Sequence, residues 1–357
     1  MSLIPATILT GFLGAGKTTL LKRILTEAHG QKIAVIENEF GEENIDSDIL
    51  VSDTSEQIIQ MSNGCICCTI REDLRVTLQD LAEKKRKGEL SFDRVVIETT
   101  GLADPGPVAQ TFFMDDEIAE SYLLDSILTL VDAKHAPTQL NDRQEARRQV
   151  GFADQIFISK SELVSKDALE ALQHRLKHMN PRAPQQTVHF GEVAIKDVFD
   201  LRGFNLNAKL DIDPDFLKVD DHDHAHHHHA EGEACDHPSH NTSYNASHDH
   251  SHGHHHHTDD DVKSFVFKSD RPFDPAKLED FLGAIVNIYG PRMLRYKGVL
   301  YMQGTDRKVI FQGVHQLMGS DLGPAWGPEE HKSSKMVFIG IDLPKDILLQ
   351  GMEQALV

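Results

Sequence analysis

A glycine-rich run near the start of the chain reads Gly11-Phe12-Leu13-Gly14-Ala15-Gly16-Lys17-Thr18-Thr19. Its spacing matches the phosphate-binding pattern G-x-x-x-x-G-K-[ST], in which backbone N–H groups at a helix N-terminus hold phosphate oxygens. The pattern predicts that Lys17 bridges the β- and γ-phosphates of a nucleotide and that the Thr18 hydroxyl ligates Mg²⁺. The expected nucleotide-binding residues of this loop are Gly11, Gly14, Ala15, Gly16, Lys17, Thr18 and Thr19.

A second candidate element is Glu98-Thr99-Thr100-Gly101, which follows the apolar stretch 94–97. Phosphate-loop enzymes place a carboxylate at the end of such a strand, where it faces the Mg²⁺ water and the γ-phosphate. We therefore predict that Lys17 and Glu98 are the catalytic residues and that the N–H of Gly101 approaches the γ-phosphate. The alternative is a strand-end glutamate that faces solvent.

The third candidate element would determine which nucleotide base is bound. Ser159-Lys160-Ser161-Glu162 follows an apolar stretch at 156–158, where guanine-specific enzymes carry Asn-Lys-x-Asp. Lys160 can pack its stem on the base and the carboxylate of Glu162 can accept from the guanine N–H groups. These residues and Ser159 are the predicted base-binding residues, and they favour GTP over ATP.

Three of the four cysteines are crowded into Cys65-Ile66-Cys67-Cys68, just before Thr69-Ile70-Arg71-Glu72, which has the form of a capping box. A helix N-terminus favours thiolate, which is both a soft metal ligand and a nucleophile. With carboxylate from Glu37 and Glu42, the cysteines Cys65, Cys67 and Cys68 predict a Zn²⁺ site, with Co²⁺ or Ni²⁺ as alternatives. Buried structural cysteines or a redox thiol are the other interpretations.

Of the 22 histidines, 15 lie between His222 and His257, in a stretch with almost no aliphatic residues. Such a composition cannot bury enough apolar surface to offset the entropy of ordering. Neutral imidazole binds transition metals, so the segment predicts weak accessory metal sites. The accessory ligands are expected at His222, His224, His226, His227, His228, His229, His254, His255, His256 and His257.

Short apolar strands alternate with helical stretches before this segment, which predicts an α/β fold with a doubly wound, mostly parallel sheet over residues 1–205. Residues 206–262 are expected to form a flexible linker. A smaller α+β domain is predicted over 263–357, with strands at 264–267, 298–302, 308–311 and 336–341. His315 is expected on an apolar strand of this domain as a buried core histidine rather than a metal ligand.

The charge balance bears on partners and location. The chain carries 36 basic and 56 acidic residues, for a net charge of −20, which disfavours nucleic acid and anionic membrane as partners. No apolar run approaches the roughly 18 residues that span a bilayer, and the amino terminus lacks the basic region of a signal peptide. We expect a cytoplasmic protein.

Taken together, the glycine-rich loop, the stretch 37–41, Ser62-Asn63-Gly64-Cys65-Ile66-Cys67-Cys68 and the stretch 98–101 resemble the CobW family of phosphate-loop GTPases. The resemblance continues through Arg295-Tyr296-Lys297-Gly298 and Phe311-Gln312-Gly313-Val314. It implies a metal-responsive GTPase that delivers a transition metal, usually zinc, to an unidentified client metalloprotein. It leaves open a monomer or a metal- or nucleotide-dependent homo-oligomer.

Two other functions stay open at this point. The histidine content also fits a metal-storage or buffering protein with residual nucleotide hydrolysis. A small-molecule kinase that uses ATP is a third interpretation, although the sequence displays no second substrate pocket.

Overall fold

The structure is a computed structural model that describes residues 3–26, 30–37, 58–60, 69–204 and 260–357, with the backbone alone at 58–60 and 69–73. The predictions made for Glu42, Cys65, Cys67, Cys68 and the accessory histidines from His222 to His257 therefore lie outside the described residues. Within the described part of the chain, no helix is long and apolar enough to cross a membrane.

The first sheet is parallel throughout, as the run of buried apolar strands predicts. Its order is β3-β2-β4-β1-β5-β6-β7, so the first strand of the chain lies in the middle. Parallel strands of this kind leave their carboxyl ends at one edge, which is where ligands bind in such sheets. The strands are β1 Ile4–Gly11, β2 Ile33–Glu37, β3 Ile58–Gln60, β4 Arg94–Glu98, β5 Tyr122–Asp132, β6 Gln155–Ser159 and β7 Gln185–Val188.

Helices connect these strands, and the predicted doubly wound α/β fold is confirmed. Asp104 caps one helix by accepting from the N–H of Gly106, and Ser165 caps another by accepting from the N–H of Ala168. A core cluster packs α1 against residues of β1, β2, β4 and β5. The helices are α1 Lys17–Thr26, α2 Thr69–Arg86, α3 Pro105–Met114, α4 Asp116–Ser121, α5 Ala136–Asp142, α6 Gln144–Phe152 and α7 Lys166–Met179.

The second sheet is antiparallel, in the order β11-β10-β9-β12-β8, and two helices accompany it. The predicted smaller α+β domain is confirmed, and Phe273, Tyr296 and Phe338 are buried at its centre. Its elements are β8 Val262–Ser269, α8 Pro275–Tyr289, β9 Met293–Leu300, β10 Arg307–Val314, β11 Leu317–Ala325, β12 Ser334–Ile341 and α9 Lys345–Gln354.

Two expectations for this domain were wrong in detail. The strand expected at 298–302 begins earlier, at Met293, and β11 was not predicted at all. β11 is an edge strand that contains Gly319, Gly323 and Pro324 and exposes most of its residues, so it lacks an apolar signature. The boundaries predicted at 205 and 263 stay predictions.

His315 is buried, as expected, but it does not lie on a strand. It occupies the turn between β10 and β11 with a φ of 52°. Its ring lies 5.2 Å from the ring of Phe152, centroid to centroid, and its Nδ1 is 3.3 Å from the carbonyl oxygen of Gly290. Burial lowers the pKa of His315, nearby Asp104 opposes this shift, and Arg148 adds to it.

Candidate nucleotide and metal site

The phosphate loop joins the end of β1 to the start of α1. Gly11 has a φ of 145°, and a Cβ at this position would lie 2.4 Å from the carbonyl oxygen of Leu130 on β5, so only glycine fits. Lys17 is the first residue of α1, and its ammonium donates to the carbonyl oxygen of Gly11 at 2.9 Å. Burial lowers the pKa of Lys17, and Glu98 partly offsets this effect. The lysine is thus folded over the loop that would hold the phosphates.

The other residues assigned to this loop lie where the pattern predicts. Gly14, Ala15 and Gly16 form the turn between β1 and α1, and Thr18 and Thr19 are in the first turn of α1. Thr19 is exposed, while Thr18 is partly buried and faces β4.

The predicted catalytic carboxylate lies beside this loop. Glu98 ends β4 and is register partner of Leu9 on β1, and its Oε1 accepts from the Thr18 hydroxyl at 3.1 Å. A hydroxyl and a carboxylate are hard oxygen donors of the type that Mg²⁺ requires. The donor set therefore fits Mg²⁺, and the solvent-facing alternative for Glu98 is disfavoured because the side chain is partly buried against Thr18.

Glu37 is brought to the same edge of the sheet by strand register. It ends β2, pairs with Glu98 on β4 on one side and with Gln60 on β3 on the other, and is buried. Two carboxylates therefore end neighbouring strands, and the nearer one, Glu98, contacts the phosphate loop. Among the described residues no cluster of three or more potential metal-ligating side chains occurs, so the zinc site with its cysteines stays a prediction.

The segment after β4 contacts the phosphate loop directly. Gly101 is buried, and a Cβ there would lie 2.6 Å from the backbone nitrogen of Leu13. The backbone N–H of Thr99 also donates to the carbonyl oxygen of Leu9 at 2.9 Å. A larger residue at position 101 would push the two loops apart, which explains the glycine in structural terms.

The segment that follows β6 also closes on the phosphate loop. Ser159 donates from its hydroxyl to the carbonyl oxygen of Ala15 at 2.7 Å. Lys160 has a φ of 56°, and its ammonium donates to the carbonyl oxygen of Gly14 at 2.8 Å and to Oδ2 of Asp132 at 2.7 Å. The lysine therefore lies across the loop, in a position to present its stem to a base.

Sequence reasoning missed Asp132, which anchors Lys160. Its side chain is 1% exposed at the end of β5, and its Oδ2 also contacts Nδ1 of His135 at 2.9 Å. Burial raises the pKa of Asp132, but hydrogen bonds from Lys160 and His135 outweigh burial and leave the pKa below its usual range. Its signal in the sequence is only an aspartate that ends an apolar strand, a position that matches no motif.

A second omission lies after β7. Oε2 of Glu162 is 3.5 Å from Nδ1 of His189, and the ring of His189 lies 4.5 Å from that of Phe190. Phe190 is 74% exposed and has a φ of 46°. An exposed aromatic ring in a left-handed backbone conformation is unusual and marks a functional candidate. It provides a flat apolar surface two residues beyond β7, in the segment that contacts Glu162.

Comparison with known proteins agrees with this arrangement. Residues 5–187 match the family described as CobW/HypB/UreG, nucleotide-binding domain, and residues 262–356 match the cobalamin synthesis protein cobW C-terminal domain. The zinc chaperone YjiA of Escherichia coli is 39% identical over 347 residues, which cover 97% of this chain and 96% of the relative. The zinc-regulated GTPase metalloprotein activator 1 of Dictyostelium discoideum is 30% identical, covering 89% of this chain and 66% of the relative.

Solved structures give the same result. The crystal structure of the zinc(II)-bound YjiA GTPase from Escherichia coli matches with a TM-score of 0.74 at 35% identity and covers 99% of both chains. A zinc(II)-bound triple variant of YjiA, in which a glutamate and two cysteines are replaced by alanine, matches with a TM-score of 0.74 at 34% identity and covers 100% of both chains. The chain therefore belongs to the CobW/HypB/UreG family and joins that family's nucleotide-binding domain to a CobW C-terminal domain.

Proposed function

We propose that this protein hydrolyses GTP to GDP and phosphate and couples the reaction to the binding and delivery of a transition metal, with zinc as the cargo. The observation that carries the proposal is the register of β2 and β4, which sets Glu37 beside Glu98. Glu98 belongs to the nucleotide site, and Glu37 is a predicted ligand of the metal site. The proposal requires that binding at one of these sites changes the affinity of the other.

The nucleotide chemistry rests on the residues around the phosphate loop. When bound, Mg²⁺ would neutralise charge on the β- and γ-phosphates, and Thr18 and Glu98 would hold it. Lys17 exchanges the carbonyl oxygen of Gly11 for a phosphate oxygen and stabilises the charge that develops as water adds to the γ-phosphorus. We assign the N–H of Gly101 to the same phosphoryl group, which the packing of Gly101 against Leu13 of the phosphate loop supports.

Guanine selectivity is assigned to Lys160, Glu162 and the exposed ring of Phe190. The Lys160 stem packs on one side of the base, and Glu162 accepts from the N–H groups that guanine has and adenine lacks. Phe190 offers a stacking surface of the kind that bases use. His189, at 3.5 Å from Oε2 of Glu162, orients that carboxylate.

The metal chemistry is assigned to Glu37 and to the cysteine motif, with Glu42 as a further carboxylate. Eight residues, 61–68, join Gln60, the register partner of Glu37, to the start of α2 at Thr69. The relatives named above as a zinc chaperone and a zinc-regulated GTPase favour zinc over Co²⁺ and Ni²⁺. The client is a metalloprotein, and the protein acts as a monomer or as a metal- or nucleotide-dependent homo-oligomer.

A metal-buffering protein is the second candidate, favoured by the 15 histidines between His222 and His257. The two functions differ in what GTP does. A buffer releases metal at a rate independent of nucleotide, whereas a delivery GTPase changes its metal affinity when GTP is hydrolysed.

The test is steady-state hydrolysis of GTP and of ATP by the purified full-length protein with Mg²⁺, with and without zinc at one equivalent. We expect turnover of GTP, at least a tenfold preference over ATP in kcat/KM, and a change in turnover when zinc is added. Equal use of both nucleotides would contradict the base assignment. A GTP turnover that does not change when zinc is added would favour the buffering function.

A further inference from the structure

Helix α6 holds the segment that follows the catalytic strand. The amide Nε2 of Gln149 donates to the carbonyl oxygen of Gly101 at 3.2 Å and to that of Ala103 at 3.0 Å. Gln149 is 1% exposed, so water cannot replace these hydrogen bonds. One buried side chain thus fixes two carbonyl groups of the segment that packs against the phosphate loop at Gly101 and Leu13.

The neighbouring residue of α6 fixes the end of the same segment. Nη1 of Arg148 donates to Oδ2 of Asp104 at 2.6 Å, while Oδ1 of Asp104 accepts from the N–H of Gly106 and caps α3. Two consecutive residues of α6 therefore hold residues 101–104 at three points.

Helix α6 is itself fixed by the second domain. Arg295 on β9 donates to the carbonyl oxygen of Phe152, the last residue of α6, at 3.0 Å. A Cβ on Gly151 would lie 2.6 Å from Cδ1 of Leu294, so helix and sheet are in close contact. His315 packs its ring against Phe152 from the same domain. The C-terminal domain therefore contacts the end of the helix that carries Gln149, while Thr129 and Asn180 of the first domain hold the same helix through its backbone carbonyl groups.

We propose that Gln149 and Arg148 are positioning residues for GTP hydrolysis, and that they transmit the position of the C-terminal domain to the segment 101–104. This inference rests on the proposed GTP hydrolysis and adds residues outside the recognised motifs. Both residues lie in α6, outside the phosphate loop and the base-binding segment. They act by keeping the backbone around Gly101 in the geometry that the transition state needs, and a misplacement of about 1 Å costs roughly 100-fold in rate.

The experiment compares the full-length wild-type protein with Gln149→Glu and Gln149→Met, at saturating Mg²⁺ and well below the melting temperature of each. The glutamate keeps the shape but, when ionised, only accepts hydrogen bonds; the methionine removes both polar atoms and so tests the loss of the donor regardless of protonation. We expect kcat to fall about 10- to 100-fold while KM for GTP and the Kd for GDP change by less than about threefold, because the lost contact matters only in the transition state.

The matched control is Gln185→Met on β7, which also removes a single side-chain donor to a backbone carbonyl, here that of Gln173 at 3.0 Å. A purely structural role for Gln149 would lower the melting temperature, as in the control, and leave kcat unchanged. That outcome overturns the proposal.

Arg148→Met keeps the proposal testable if the Gln149 variants do not fold, since Arg148 is partly exposed and we expect the fold to tolerate its replacement. We expect a fall in kcat of about 3- to 10-fold with unchanged GDP affinity. Wild-type kcat in this variant, or an equal change in kcat and GDP affinity, overturns the proposal. A wild-type protein without GTP turnover refutes the proposed function itself, whereas unchanged kcat in the variants refutes only the positioning role.

Discussion

The close approach of Gly101 to the phosphate loop makes Gly101→Ala the most informative single substitution. The added Cβ would lie 2.6 Å from the backbone nitrogen and 2.8 Å from Cα of Leu13. Favourable contacts between non-bonded heavy atoms need about 3.5 Å, so the two loops must separate by about 1 Å. A displacement of that size at a reacting group lowers the rate by roughly 100-fold, or about 2.7 kcal/mol in activation free energy.

The assay is phosphate release at saturating GTP and Mg²⁺, with melting temperature as the check on folding. Gly283→Ala on α8 is the control, because a Cβ there meets no atom within 4 Å. The control should keep wild-type turnover and gain up to about 1 kcal/mol of stability, as alanine does in a helix. If Gly101→Ala turns over GTP within threefold of wild type, the two loops do not depend on this contact and the reasoning is refuted.

Four further predictions test the other assigned residues and segments. Lys17→Ala should abolish GTP hydrolysis with unchanged circular dichroism, because the lysine offsets the charge of the transferred phosphoryl group; near-normal turnover would refute the assignment. Cys67→Ala and Cys68→Ala should each weaken zinc binding at least tenfold, about 1.4 kcal/mol. Each should also reduce the thiolate charge-transfer absorption of the cobalt-substituted protein. An unchanged spectrum in both variants would exclude metal ligation by these cysteines. Deletion of 222–257 should lower metal capacity from several equivalents to about one in equilibrium dialysis without changing basal hydrolysis, and loss of the tightest site would contradict the accessory role. Burial lowers the pKa of His315 in the folded state. Below about pH 6.5 the unfolded chain therefore binds a proton that the folded chain does not. The free energy of unfolding consequently falls as the pH drops from about 6.5 towards the pKa of the folded state. Urea unfolding of wild type and His315→Gln between pH 5 and 7.5 should give a flatter dependence for the variant, and equal slopes would show that His315 does not contribute.

Much of the fold was readable from the sequence because buried parallel strands are nearly continuous apolar runs. The stretches 94–97 and 156–158 lie in β4 and β6 of the structure. The edge strands β7 and β11 were missed, since strands open to solvent carry polar residues and give no such signal. The edge strand β8 was predicted at 264–267 because Phe265 and Phe267 alternate with other residues and pack into the core.

The candidate site, like the fold, was only partly predictable from the sequence. The phosphate loop was predicted because it is one contiguous stretch whose residue spacing is typical of phosphate binding. Asp132, Phe190 and Gln149 were not, since each acts through residues far away in the chain. Gln149 meets Gly101 across 48 positions, and Asp132 meets Lys160 across 28. Tertiary contacts of this kind follow from strand order and helix packing, which a single sequence does not reveal.

The central claim is that the nucleotide and metal sites are coupled through the neighbouring ends of β2 and β4. The most direct measurement is the Kd for zinc of the full-length protein bound to GDP and bound to a non-hydrolysable GTP analogue, with the reciprocal measurement of both nucleotide affinities with and without zinc. If the sites are coupled, the two zinc affinities differ at least fivefold, about 1 kcal/mol, and zinc shifts the relative nucleotide affinities by the same factor. Zinc affinities that are equal in both nucleotide states would contradict it.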